Sequence, residues 1–194
     1  MRGVQAPRVR RSIATFSLMT ARVVHLIGTS HHYQYGVGAK RGKTACTEAQ
    51  EGAFREFVRS KALACHAKVI ADELNDDGLR EAGKPVSVLQ ALANELGLRH
   101  LFCEPDRTER AKLGVAEETL IRMLALINDQ SEAEVQAQMD EQFRIRETVW
   151  LQRLASLSVW PVLFVCGADH VSSFSARLAA NGASVRIVQN DWQG

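Results

Sequence analysis

The stretch PVLFVCGADH, residues 161–170, is an apolar run that ends at a glycine and is followed at once by an acid and a histidine. Residues 161–166 carry no polar side chain and include two valines and a phenylalanine. A run of this kind is typical of a strand that is covered on both faces in a parallel sheet. The sequence therefore predicts a buried strand that ends at Gly167, with Asp169 and His170 directly beyond it.

The residues after this strand complete a βαβ unit. Residues 171–180 have helical spacing, with a phenylalanine and a leucine four positions apart on one face, and an Asn-Gly pair ends the helix. Residues 184–189, SVRIVQ, predict the next strand. His170 is then expected at the carboxyl end of a parallel strand, which is the edge where open α/β sheets bind ligands.

The same arrangement occurs near the other end of the chain. Residues 22–28, RVVHLIG, predict a strand, and TSHH follows its glycine, so that both segments read strand and then G-x-x-H. A single histidine after a strand is usually a cap or a hydrogen-bonded turn residue. The duplicated context of His31 and His170 favours a functional role for both.

Composition and charge exclude several classes of protein. A chain of 194 residues with a hydrophobic fraction of 46% can bury a full core in one domain. The net charge is +2, but residues 1–18 contain four arginines and no acid, which leaves −2 for the remainder. We therefore expect no basic face for nucleic acid, and no apolar run approaches the length that spans a membrane.

The N-terminal residues and the cysteines bear on organisation and compartment. Residues 1–20 are basic and patternless and are predicted to be a disordered extension, with residues 21–194 forming a single domain. The alternative, a secretory signal at the apolar piece 13–19, lacks a clear cleavage site of small residues. The cysteines show no C-x-x-C spacing, so a reduced, cytoplasmic protein is expected. They are Cys46, Cys65, Cys103 and Cys166.

The central part of the chain supplies the other elements of an α/β domain. Residues 68–73 and 99–103 predict two further strands, while 31–36 and 75–78 are interpreted as a loop and a turn. The loop continues into a basic, glycine-rich segment. Polar caps precede three of the four helices predicted in this part. These caps are Thr47 with Gln50, Ser87 with Gln90, and Ser131 with Glu134. The predicted fold is one α/β domain with a mainly parallel central sheet and helices on both faces.

Polar side chains follow four of the predicted strands. They are His31 with His32, Asp72 with Glu73, Glu104 with Asp106, and Asp169 with His170. Parallel strands bring their carboxyl ends to one edge, where imidazoles and carboxylates could ligate a catalytic divalent metal. Without metal, the same groups could form a His/Glu acid–base pair that deprotonates a water.

Several of these residues have a structural alternative. Asp169 could cap the helix that follows it. Arg107 and Arg110 could pair with Glu104 or Asp106 as surface ions, or, inside the site, hold a carboxylate or phosphate of a substrate. The remaining histidines are interpreted as structural because they lie within or beside core strands. These are His25, His66 and His100.

The segments VVHLIGTSHH and VLFVCGADHVSSFSARLAANGASVRIV resemble the opening and closing motifs of the TraB/PrgY and Tiki superfamily. That superfamily also has a strand ending in a glutamate, best matched by Glu73 in VIADEL and next by Glu104. It has an arginine before the closing strand, for which Arg146 in RIRETVWLQRL is the nearest match. Its members include metal-dependent peptidases of the Tiki type, pheromone-shutdown proteins and relatives of erythromycin esterases.

The resemblance implies a metal-dependent hydrolase of a peptide, amide or ester bond in a peptide or small molecule. His31, Glu73 and His170 would hold Mn, Zn, Co or Fe, and Arg146 would orient a carboxylate or stabilise negative charge. Two alternatives stay open, a non-catalytic regulatory protein that binds a metal, haem or small ligand, and a metal-free His/Glu hydrolase. Whether the chain forms a homo-oligomer is also open. The expected substrate contacts are His32, Tyr33, Glu104, Asp106, Arg107, Arg110 and Asp169.

Overall fold

The computed structural model describes residues 21–40 and 44–194, and at its centre lies a sheet of five parallel strands in the order β3-β2-β4-β1-β5. The strands are β1 (Val23–Thr29), β2 (Val69–Asp72), β3 (Arg99–Phe102), β4 (Val162–Gly167) and β5 (Ser184–Trp192). The predicted α/β fold with a parallel sheet is confirmed.

The central strand β4 is formed by the apolar run that ends at Gly167. All six of its residues are buried. Leu163 and Val165 pack into one core and Phe164 and Cys166 into the other, because successive side chains of a strand point to opposite faces. An apolar run without alternation is therefore what a strand between two helical layers requires.

Helices cover both faces of the sheet. The described helices are α1 (His31–Tyr35), α2 (Glu48–Ala64), α3 (Asp76–Glu81), α4 (Val88–Glu95), α5 (Arg107–Leu113), α6 (Glu118–Ile127), α7 (Glu132–Ala155) and α8 (Val171–Ala180). On one face α2 and α4 pack against Ile27, Ile70 and Leu163, and on the other α7 and α8 pack against Leu26 and Phe164. A short 3₁₀ turn, Ala168–His170, joins β4 to α8.

The polar caps predicted from the sequence begin the helices that follow them. The side chains of Thr47 and Ser131 form capping boxes at the starts of α2 and α7. The side chain of Ser87 accepts a hydrogen bond from the backbone of Gln90 at the start of α4. Each cap satisfies a backbone N–H that has no partner within its own helix.

Two short helices replace predicted irregular segments. Residues 31–35 form α1 rather than a loop, so His31 lies in the first turn of a helix. Asn75 is the cap of α3, not a turn residue, and its side chain accepts a hydrogen bond of 2.7 Å from Gly78. Helices of five and six residues are too short to show an apolar periodicity, which is why the pattern did not reveal them.

The predicted disordered extension at 1–20, and Arg41 and Lys43 of the basic segment, lie outside the described residues. Within residues 21–40 and 44–194, none of the helices combines the length and the apolar composition that crossing a membrane requires.

Candidate functional site

The carboxyl ends of three neighbouring strands bring His31, Glu73 and His170 together. Strand β4 lies between β1 and β2, and its register pairs Thr29 with Gly167. The backbone N–H of Glu73 continues the β2 ladder by donating to the carbonyl of Val165 at 3.0 Å. The residues that lie one to three positions beyond these strand ends, Glu73, His31 and His170, therefore meet in the same crevice.

Glu73 is the centre of this cluster and is only 2% exposed. Its Oε2 accepts a hydrogen bond of 2.6 Å from the Gly167 N–H and lies 3.3 Å from Nε2 of His31. Its Oε1 lies 3.4 Å from Nε2 of His170 and accepts from the guanidinium of Arg146. One buried carboxylate thus contacts two histidines, an arginine and a backbone amide.

The glycine of the second motif leaves room for this arrangement. A Cβ atom at Gly167 would lie 3.3 Å from Oε2 of Glu73 and 3.4 Å from Cε1 of His31. The first distance is tighter than an ordinary van der Waals contact and the second is at the lower limit of one, so a larger residue would displace the carboxylate by a few tenths of an ångström. Glycine at this position therefore serves the packing of the site.

His170 is fixed by partners at both ring nitrogens. Its Nδ1 lies 3.0 Å from Oε1 of Glu147, and its Nε2 lies 3.2 Å from a terminal nitrogen of Arg146. Because the Glu147 carboxylate can only accept, Nδ1 carries a proton, while Nε2 lies between the Arg146 donor and Oε1 of Glu73. Ser173 donates to the same Glu147 oxygen at 2.5 Å, and the ring of Phe143 packs 4.0 Å from the imidazole, centre to centre.

Arg146 joins two buried carboxylates. Besides Glu73, it binds Glu104 through Nε, at 2.9 and 3.2 Å, and through a terminal nitrogen at 3.0 Å. Glu104 also accepts from the indole of Trp150 at 3.0 Å and from Arg110. Both glutamates predicted to follow strands therefore belong to one network, with the guanidinium between them.

The network shifts the protonation of its members. Burial alone would raise the pKa of Glu73, but His31, Arg146 and His170 outweigh it and hold that pKa well below its usual range. Partial desolvation would lower the pKa of His31, yet the neighbouring Glu73 carboxylate prevails and raises it. Desolvation likewise opposes the charge on Arg146, and Glu73 and Glu104 reverse this and raise its pKa. Glu73 is therefore an ionised acceptor.

A cavity of about 800 Å³ opens beside this network. That volume suits a small molecule or a short stretch of peptide. The side chain of His31 is 46% exposed, whereas that of His170 is 3% exposed. His31 is thus the histidine that a bound molecule reaches. The predicted residues that line the cavity are His31, His32, Glu73, Glu104, Arg107, Arg110 and Arg146.

Three predicted substrate contacts lie elsewhere. Tyr33 is buried in the core, where its hydroxyl donates to the carbonyl of Gln193 at 2.7 Å. Asp106 is the cap of α5 and forms a capping box with Glu109. Asp169 is exposed and lines a second cavity, and its side chain makes no capping hydrogen bond to α8.

Three residues of the network were missed from the sequence. Glu147 and Trp150 lie on α7, and Ser173 lies on α8. The one signal in the sequence is the adjacent pair Arg146-Glu147, which lies inside a helix that also has buried apolar positions. If such charges are buried, they need partners from other elements of the fold. Spacing alone does not say whether such a pair faces solvent or the core.

The predicted metal ligands meet, but the space between them holds a guanidinium. Arg146 lies against Nε2 of His170 and against oxygens of Glu73 and Glu104. Within the part of the chain that the structure describes, no three His, Cys, Asp or Glu side chains are arranged to hold a metal ion. The observed arrangement fits a cationic side chain rather than a divalent ion, and a metal site at these residues stays a prediction.

Comparisons of the chain with models of protein families, with curated proteins and with solved structures find no match. The likeness to the TraB/PrgY and Tiki superfamily therefore rests on the two G-x-x-H segments and stays a prediction.

Proposed function

We propose that the protein is a hydrolase of ester, amide or peptide bonds in which His31 and Glu73 activate a water molecule without a metal. One observation carries the proposal. The imidazole of His31 is half exposed to the cavity, and its Nε2 lies 3.3 Å from the buried Glu73 carboxylate. A carboxylate behind a histidine that faces a substrate cavity is the arrangement of a general base.

The position of Glu73 determines which nitrogen of His31 acts. Because the ionised carboxylate accepts from Nε2–H, Nδ1 carries the lone pair, and it has no hydrogen-bonding partner among the described residues. A water molecule gives its proton to Nδ1 as its oxygen forms a bond to the substrate carbonyl carbon. The proton then passes to the leaving oxygen or nitrogen as the scissile bond breaks.

Arg146 supplies the positive charge that stabilises the tetrahedral state of the reaction. It lines the cavity and its side chain is 15% exposed, while hydrogen bonds to Glu104 and the neighbouring ring of Trp150 fix its position. The carbonyl oxygen of the substrate gains negative charge in the tetrahedral state. A guanidinium held in place in advance stabilises that charge without reorganisation.

A metal-dependent hydrolase is the second candidate, and one observation favours it. The Nδ1 of His170 is bound by the Glu147 carboxylate at 3.0 Å. Metal-binding histidines commonly have such a carboxylate behind them. In this case His31, Glu73 and His170 would be the ligands, with Mn, Zn, Co or Fe as the metal, and Arg146 would have to leave its present position.

The cysteines agree with the compartment expected from the sequence. All four are free thiols, and three of them are buried. We infer a reducing compartment, the cytoplasm, for the protein.

The decisive experiment is a screen of activated esters, aryl amides and short peptides, with the purified protein before and after treatment with a chelator. We expect turnover that survives chelation and is lost in His31→Ala. Turnover that disappears on chelation and returns with Mn, Zn, Co or Fe would replace this mechanism by the metal-dependent one. Ligand binding that depends on His31 and His170, with no turnover of any substrate, would favour the non-catalytic alternative.

A further inference from the structure

Helix α6 has two apolar faces, and the described part of the chain covers only one of them. Ile121 and Ala125 are buried against Val135 of α7, in a cluster separate from the two cores that flank the sheet. The positions on the other face follow the spacing i, i+3, i+4 and i+7, which forms one stripe along a helix. This α6 stripe consists of Leu120, Met123, Leu124 and Ile127.

The α6 stripe is exposed to a degree that apolar residues rarely reach together. Ile127 is 71% exposed, the other three are between 43% and 51% exposed, and Leu126 beside the stripe is 85% exposed. These five residues present roughly 500 Å² of apolar surface, which is in the range of the largest patch on a typical monomer. A continuous apolar patch of this size marks an interaction surface.

The charges on α6 indicate which kind of partner fits the stripe. Arg122 is the one cation in the sequence of α6, and Glu118 and Glu132 hold it in ion pairs. The helix therefore offers no free cation to an anionic lipid surface or to nucleic acid. Homodimer interfaces are more apolar than those of transient complexes, and their centres are depleted of charge. The composition of the stripe fits a second copy of this chain.

We propose that two copies of the chain pair through the α6 stripe, with the two helices antiparallel about a twofold axis between Met123 and Leu124. Leu120 of one copy then faces Ile127 of the partner subunit, so the stripe is complementary to itself, as a twofold interface requires. The α6 residues of both copies together would bury roughly 1,000 Å², which meets the size expected of a specific interface.

The antiparallel orientation follows from the residue that precedes α6. Glu117 is exposed and forms no ion pair with a described residue. Parallel helices would bring the two Glu117 carboxylates side by side, whereas antiparallel helices separate them by roughly 20 Å at the rise of an α-helix. Glu117 and Glu118 also line the cavity beside Glu73, so the dimer interface adjoins that cavity.

Sedimentation velocity of the full chain over a range of micromolar concentrations tests the dimer. We expect the mass of two chains for the wild type. Leu124→Glu and Ile127→Glu should each weaken association about a hundredfold or more, because each brings an unpaired carboxylate into the interface. Both residues are exposed in the single chain, so the variants should fold, and circular dichroism checks this. The matched control is Leu63→Glu, which changes a 58% exposed leucine of α2 and should leave the dimer intact.

Cross-linking tests the orientation of the two helices. A mixture of Leu120→Cys and Ile127→Cys should form the disulfide between the two variants on oxidation, because these positions face each other. Leu120→Cys alone should not, since its two copies lie roughly 10 Å apart along the helix axes, which is beyond the reach of a disulfide. The wild type controls for the four native cysteines.

Four outcomes would overturn the proposal. They are a monomer at every concentration, a dimer that survives Leu124→Glu, efficient disulfide formation by Leu120→Cys alone, and a monomer that dimerises only after deletion of residues 1–20. The last result would assign the stripe to the N-terminal segment of the same chain. No substrate enters these experiments, so their result is independent of whether the cavity beside Glu73 hydrolyses anything.

Discussion

Asp72 and Glu73 are neighbours at the end of β2, and each buried carboxylate contacts a histidine, yet their surroundings differ. Asp72 points toward α4 and β3, where its Oδ2 lies 3.2 Å from the hydroxyl of Ser87 and 3.4 Å from Nε2 of His100. Glu73 points toward α7 and contacts two histidines and Arg146. Successive residues leave a strand on opposite faces, so one residue separates the two environments.

The difference shows that a histidine–carboxylate pair is not by itself a functional site. The side chain of His100 is 9% exposed and does not line the cavity beside Glu73, whereas the side chain of His31 is 46% exposed and lines that cavity. The Asp72 pair has neutral or histidine partners only, while the Glu73 cluster holds a permanent cation. Access to the cavity and the presence of Arg146 separate a candidate catalytic pair from a structural one.

The largest effect is expected from Arg146→Ala. It leaves Glu73 and Glu104 buried without their shared cation, which should lower the free energy of unfolding by about 3–5 kcal/mol. Arg107→Ala is the matched control, since its ion pair with Glu81 is exposed and should matter little. Urea unfolding of both variants measures these free energies. An equal loss of stability in the two variants would show that the buried Glu73 cluster depends on its arginine no more than the exposed ion pair does.

The second effect separates the two histidine–carboxylate pairs by activity. His31→Ala should reduce kcat/KM about 10²–10⁴-fold because it removes the general base, and it should also cost about 1–3 kcal/mol of stability because the buried Glu73 loses a partner. His100→Ala should leave kcat/KM unchanged but cost about 1–3 kcal/mol of stability, because Asp72 loses a buried partner. Kinetics on the best substrate, paired with unfolding curves, provide the test. A similar loss of activity in both variants would contradict the distinction.

A smaller effect is expected from Gly167→Ala. The added methyl group would displace Glu73 or His31 by a few tenths of an ångström, which should lower kcat roughly tenfold through poorer positioning. Gly52→Ala is a suitable control because a Cβ there meets nothing within 4 Å. Unaltered kcat in Gly167→Ala would mean that the contact between these two side chains is not needed for the reaction.

The smallest effect is the displacement of the pH profile. Only neutral His31 can accept a proton, and Glu73 raises the pKa of His31 above its ordinary 6.5. The rate should therefore be full at alkaline pH and fall as the pH drops through a midpoint above 6.5. In Glu73→Gln the residual activity should have its midpoint at lower pH. A profile of kcat/KM against pH measures the midpoints of the wild type and of Glu73→Gln. A wild-type midpoint below 6.5 would rule out His31 as a general base whose pKa is raised by Glu73.

The sequence was sufficient to predict the fold and the approach of His31 and His170 to one another at one edge of the sheet. The uninterrupted apolar run of β4 indicated a strand buried on both faces, and the repeated G-x-x-H placed His31 and His170 at strand ends. Parallel strands bring such ends together, so residues far apart in sequence could be expected to meet. The approach of both to Glu73 depended on the resemblance to a known superfamily as well.

Other parts of the site could not be derived in this way. The contact of Glu147 with His170 depends on how α7 is rotated against the sheet, which tertiary packing decides and spacing does not. Asp106 looked like a site residue because it follows a strand, but its hydrogen bond to the Glu109 backbone makes it a helix cap. A polar residue that follows a strand can be either a site residue or a helix cap. The two roles are distinguished only by whether a helix begins directly after it.

One carboxylate, Glu73, lies between His31 and His170, and NMR of the histidine rings measures this arrangement directly. Long-range ¹H–¹⁵N correlation spectra of the wild type, Glu73→Gln and Asp72→Asn report on each imidazole separately. We expect Glu73→Gln to change the ring resonances of both His31 and His170 and to leave His100 as it was, while Asp72→Asn changes His100 alone. A Glu73→Gln spectrum in which His31 or His170 is unaltered, or in which His100 changes equally, would contradict it.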